Sequence, residues 1–304
     1  MAYLPFYITP EQFQAYQKQR SETIESAPDV TRWMCKNVEH KYRLFRMVVW
    51  FLPPIPILGF YLGLVVSGEN PDWFLFLGIL IAGAIVMWAG YLSYGIDDRY
   101  DYTLSSAGLI YQKRLDEPLW GPRFVQIMAY IACGASFLAV AIMGPLALVG
   151  SGGFLLLAFT CTKKREIDIL EHIIPSQYFL YSRHHPKRKV ICLYSKDEAC
   201  QNSVKADCVF RVHTKADLCL FYDERNDLDK IVHILNGLGI DCEEVDEIDL
   251  VFEFDKAPQC FFDIPIANET FHRDEALTRF DDPPPVGKSQ EQVNKETDEL
   301  FGKI

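Results

Sequence analysis

The chain has 304 residues, of which 49% are apolar, 23% charged and 13% aromatic, and its formal net charge is -11. This excludes a disordered chain, a collagen-like fibre and a small disulfide scaffold. Mean hydropathy is only +0.01, yet long stretches carry no charge at all, which points away from a plain soluble enzyme.

In chain order, Thr9-Pro10-Glu11-Gln12 is a helix start, with a capping threonine, proline at the first helical position and glutamine three residues on. A second helix is expected from Pro28. Its apolar positions would be Val30, Trp33, Met34, Val38 and Leu44, and its polar face Arg32, Lys36, Lys41 and Arg43. A basic amphipathic helix beside a span reads as lying on an anionic leaflet. Residues 1–46 are therefore expected as cytoplasmic amphipathic helices.

Met47 to Ser67 is 21 residues without a charge, Trp73 to Ile96 is 24, and Phe124 to Thr162 is 39. One span needs about 20 residues. The runs predict one hairpin of two spans over 47–96 and a second over 124–162, folded at Gly144-Pro145. Lys and Arg cluster before the first span, between the hairpins and after the last. By the positive-inside rule both termini face the cytoplasm. Pro53, Pro54 and Pro56 predict a kink in the first span.

Between the hairpins, residues 97–123 contain Tyr102 to Leu104 and Leu109 to Tyr111 around Ser105 to Gly108, which reads as a β-hairpin. An isolated hairpin is marginal, so it is expected to join a sheet of the C-terminal part.

Residues 163–280 read as a cytoplasmic α+β domain. The strand-like runs are Tyr178 to Tyr181, Val190 to Tyr194, Cys208 to Val212, Leu218 to Tyr222 and Ile248 to Phe254. Glu224 to Leu238 has Leu228, Ile231, Val232, Leu235 and Leu238 on one helical face. The order is compatible with a small barrel closed by a helix. Residues 281–304, with Asp-Asp-Pro-Pro-Pro, read as a flexible tail.

Residues 223–255 hold 12 acidic and 2 basic side chains. Such a surface disfavours nucleic acid and suits a basic protein partner. The opposite signal is Arg183-His184-His185-Pro186-Lys187-Arg188-Lys189. Here Arg183, Lys187, Arg188 and Lys189 are candidate contacts to lipid headgroups or an acidic partner. His184 and His185 make a poor metal site, because neighbours on a strand point to opposite faces.

None of the nine cysteines forms a CxxC pair. The chain has no P-loop, GxGxxG, HExxH or GxSxG. No catalytic residue, metal ligand or cofactor is nominated. The expected protein is a multi-pass inner-membrane protein with four transmembrane helices, acting as a scaffold or accessory subunit. It would present its cytoplasmic domain to a protein partner, with the lipid bilayer as second partner and a homo-oligomer as a further option. The alternatives are an oligomeric pore-forming or membrane-disrupting effector and a lipid-acting enzyme.

Overall fold

Thr9 caps the first helix, α1 (Pro10–Glu25), through a reciprocal pair of bonds. Gln12 N donates to Thr9 Oγ1 at 3.3 Å and Thr9 N to Gln12 Oε1 at 2.9 Å, so two end amides are satisfied at once. This computed structural model describes residues 3–42, 54–67, 73–91, 95–116, 169–203 and 207–288, with isolated positions in 45–52 and 120–144. The chain divides into two units. One comprises residues 1–43, 99–113 and 170–304, the other 44–98 and 114–169.

The first unit holds two sheets. A four-stranded sheet runs β1 (Thr31–Asn37), β2 (Asp98–Ser105), β3 (Gly108–Leu115), β4 (Leu170–Pro175), in that order. The segment expected as a basic membrane-surface helix is thus strand β1. Trp33, Cys35 and Asn37 turn inward while Arg32, Met34 and Lys36 turn out, a period of two rather than 3.6. Lys41 lies beyond the strand, and Arg43 falls outside the described residues. The 102–111 hairpin forms as β2 and β3, and β3 pairs antiparallel with β4. Gly108 is required at its turn: φ is +153°, and a Cβ there would meet Ile174 O at 2.3 Å.

The five-stranded sheet contains β5 (Phe179–His185), β6 (Val190–Asn202), β7 (Cys208–Phe221), β8 (Cys242–Glu244) and β9 (Ala267–His272). Its order is β8-β5-β6-β7-β9. Neighbours pair antiparallel except β8, which runs parallel to β5. A parallel neighbour needs a crossover, and α4 (Arg225–Gly237) lies within it. Both sheets are open, so the barrel expectation is corrected. The runs 208–212 and 218–222 fall on one long hairpin strand, which ends at Phe221; buried Arg211, His213 and Lys215 hid its continuity.

The sheets share one core. Trp33, Tyr100, Tyr102, Leu104 and Tyr111 of the small sheet belong to one buried cluster with Val190 to Tyr194 and Leu218 to Tyr222 of the large one. Trp33 Nε1 donates to Phe221 O at 2.8 Å, and Tyr102 Oη donates to Cys219 O at 2.8 Å while accepting from Phe221 N at 3.1 Å. Ile231 and Leu235 of α4 join the same cluster. The first six residues of β6 are all buried, as befits a strand covered on both faces.

Residues 248–254 form a helical turn, α5 (Asp249–Phe252), not the expected strand. Side chains from the sheet take the segment's carbonyls. Arg183 Nη1 donates to Leu250 O at 3.2 Å and Lys256 O at 2.6 Å, and Tyr194 Oη to Leu250 O at 3.1 Å. Lys215 Nζ reaches Phe261 O, at the end of a further turn α6 (Gln259–Phe262), at 3.1 Å. Of the expected tail, Lys288 pairs with Ile266 just before β9, and 289–304 lie outside the described residues.

The second unit contains α2 (Pro54–Val66) and α3 (Trp73–Gly90). The expectation of four transmembrane helices is not met: among the described residues no helix is long and apolar enough to cross a membrane. The length of an uncharged run is not the length of a helix. Pro54 and Pro56 occupy the first turn of α2, where proline lacks no needed donor. They start the helix and do not kink it; Pro53 lies outside the described residues. The whole of α2, 13 residues, rises only about 20 Å at ~1.5 Å each, against a core of about 30 Å. Most of 124–162, the expected second hairpin, lies outside the described residues. The multi-pass inner-membrane placement, the bilayer as partner and the homo-oligomer rested on those spans and lose their basis.

Candidate functional site

The acidic stretch 223–255 surrounds the edge of the five-stranded sheet, and, Asp255 aside, the structure sorts its carboxylates into two sets. One set is neutralised within the fold. Glu243 accepts from Tyr181 Oη at 2.7 Å and Arg183 Nε at 3.1 Å, and both bonds hold its carboxyl below the usual range, the tyrosine most. Lys41 pairs with Asp249, and with Glu253 at 2.8 Å; Lys256 lies 3.2 Å from Asp249 and 3.5 Å from Glu253. Asp246 meets Lys187 at 3.6 Å, both well exposed.

The other set is Asp223, Glu224, Asp227, Asp229, Asp241, Glu244 and Glu247. None of these has a cationic partner among the described residues. All but Asp227 are exposed. Asp229 and Glu244 line a cavity of about 450 Å³, together with His184, Leu228, Val232, His233, Asn236 and Cys242. Helix periodicity assembles one wall: Leu228, Val232 and Asn236 are four apart on α4, as are Asp229 and His233. The other wall is the β5/β8 edge, where His184 pairs in register with Glu244.

His184 is 8% exposed. Its Nε2 lies 2.6 Å from Tyr222 Oη, and its Nδ1 has no partner among the described residues. Burial holds its pKa below the ordinary histidine value, so the ring is neutral near pH 7. Burial likewise raises the Cys242 thiol above its usual range, which argues against an activated nucleophile here. Among the described residues, no group of three or more His, Cys, Asp and Glu side chains could hold a metal ion. The polar lining of the cavity is thus two carboxylates, two imidazoles, an amide and a protonated thiol.

The four basic-loop residues sit apart from this cavity. Arg183 is turned into the fold as described. Arg188 donates to Asn37 Oδ1 at 2.9 Å and Val38 O at 3.0 Å, and Lys189 to Asp223 O at 2.7 Å. Lys187 stays largely exposed. His185 faces the other way from His184: its Nε2 meets Asp246 O at 3.1 Å, and its Nδ1 accepts from Arg188 N at 3.0 Å. Asp229, His233, Asn236 and Glu244 carry no sequence signal of their own beyond the acidic run lying beside the apolar stripe of α4.

No solved structure matches the chain. It is 31% identical over 131 residues to Immunity protein TsiV2 of Vibrio cholerae serotype O1, covering 37% of this chain and 54% of that protein. The chain thus spans about half the length of the curated relative it matches. A family model described as TsiV2 immunity protein matches residues 15–219, from within α1 to near the end of β7. These matches overturn the expected membrane-anchored scaffold, and with it the pore-forming effector and the lipid-acting enzyme. The chain belongs to the TsiV2 immunity protein family.

Proposed function

We propose that this chain is an immunity protein: it binds a toxin protein and so protects the cell that makes both. The observation that carries the reading is the family match across residues 15–219. Binding alone suffices for this role. The high thiol pKa of Cys242 and the neutral, hydrogen-bonded His184 are consistent with a non-enzymatic protein. The partner surface is the part of the acidic stretch whose charge the fold leaves uncompensated, since complementary charge steers association and selects partners.

The test is genetic and works whichever toxin is involved. The gene is deleted in the strain that carries it, and the deletant is co-cultured with its parent. The deletant is expected to lose viability beside the parent and to recover with the full chain expressed from a plasmid. Equal survival of deletant and parent would overturn the reading.

A further inference from the structure

We infer that the cavity between α4 and β8 is an anchor pocket for a single basic side chain, lysine or arginine, of the protein this chain neutralises. The inference rests on the immunity reading for the identity of the partner. The pocket's chemistry stands on its own geometry.

Three independent features converge there. Asp229 and Glu244 line the cavity without a cationic partner among the described residues, whereas Glu243, Asp249 and Glu253 nearby in sequence are paired inside the fold. Leu228 and Val232 supply an apolar wall for the methylene stem of a long basic side chain. His184 is almost wholly buried, its Nδ1 has no partner among the described residues, and it lines the same cavity. With Nε2–H donated to Tyr222 Oη, Nδ1 offers a lone pair, so a bound ammonium or guanidinium would select that tautomer.

An anionic ligand is disfavoured by the two carboxylates. A purely apolar one would leave them desolvated and unpaired, which is costly. Arg225 and Lys230 also lie on α4, but neither lines the cavity. The matched family residues end at 219. His184 therefore comes from the matched part, and both carboxylates come from beyond it. The pocket joins a family strand to a wall the family model does not cover, a suitable place for choosing one partner over another.

The test uses the full chain and three probes of similar shape: Nα-acetyl-arginine amide, Nα-acetyl-lysine amide and the uncharged isostere Nα-acetyl-citrulline amide. The imidazole resonances of His184 and His233 are followed by NMR during titration. At least one cationic probe is expected to shift both signals saturably while citrulline does not. Asp229→Asn with Glu244→Gln is expected to weaken that response at least tenfold. Asp255→Asn, an exposed carboxylate outside the cavity, is expected to leave it unchanged; its retained response verifies that charge alone is not read. No shift from either cation, or an equal shift from citrulline, overturns the pocket.

The co-culture arm separates the two readings. If the deletant is sensitive and the Asp229→Asn, Glu244→Gln chain protects it as well as wild type does, the anchor role falls and immunity stands. If the cationic probes bind but the deletant is never sensitive, the immunity reading falls and the cation pocket stands.

Discussion

Arg20 of α1 donates from Nη1 to Glu198 Oε1 of β6 at 2.6 Å, and on its other side the same carboxylate takes the fully buried Arg211 of β7. Tyr178 Oη adds a third bond to Glu198 at 3.1 Å, and Phe13 of α1 lies 4.8 Å from the Arg211 guanidinium. One acid thus holds two cations and ties α1 to the sheet. Glu198→Ala leaves Arg211 buried without a counter-charge, and removal of one partner of a buried pair costs about 3–5 kcal/mol. Urea unfolding of the variant is expected to show a loss of that size. A loss under about 1 kcal/mol, the range of an exposed pair, would contradict the clamp.

The aromatic link between the sheets is similarly testable. Trp33→Phe removes the donor to Phe221 O, and Tyr102→Phe removes both a donor to Cys219 O and an acceptor for Phe221 N. Leaving buried backbone groups unpaired costs about 1–3 kcal/mol each. The two rings stack at 4.8 Å, so the double variant is expected to be non-additive. Simple additivity in a double-mutant cycle would argue against a shared network.

His213 predicts a pH dependence. Burial, then the charge of Arg211, lowers its pKa from 6.5 to about 3. The folded pKa lies below the unfolded one, so the unfolded chain binds the proton first. The histidine's contribution is full above pH 6.5 and declines as pH falls from there toward 3, with a limiting slope of about 1.4 kcal/mol per pH unit. Subtracting the stability curve of His213→Gln from that of the wild type isolates this contribution from the carboxylates. A difference that is flat between pH 6.5 and 4 would contradict it.

Thiol reactivity should follow burial. Of the seven described cysteines, Cys35, Cys192 and Cys219 are buried and Cys260 is exposed. Burial also raises the Cys200 thiol to about 11. Brief iodoacetamide treatment at neutral pH, followed by peptide mapping, is expected to label Cys260 ahead of the other six. Faster labelling of Cys192 or Cys219 would show that the β6–β7 hairpin opens readily.

Local signals in the sequence are readable where one element explains itself. The Thr9 and Gln12 capping residues mark α1, and the apolar stripe Leu228, Ile231, Leu235 marks α4. Signals fail where tertiary partners decide. Met34 and Val38 fit a helical stripe, but β1 is set by Trp33 and Cys35 meeting the sheet opposite. Arg211, His213 and Lys215 look like breaks in a strand until their partners Glu198, Tyr3 and Phe261 are known. The uncharged runs suggest spans only because a missing charge says nothing about where a helix begins. The net charge of the acidic stretch is visible in sequence. Which acids remain available depends on Lys41, Arg183 and Lys256, and no local pattern carries that.

The 188 residues separating Trp33 from its acceptor on Phe221 matter during synthesis. At roughly 5–20 residues per second, about 10–40 s elapse between the emergence of the indole and that of its acceptor. During that interval β1, β2 and β3 leave the ribosome with their aromatic faces bare, and β4 follows them before the acceptor on Phe221 does. A nascent chain in this state is a natural client for a chaperone, and an early stop anywhere before Phe221 leaves a sticky fragment instead of a smaller working protein.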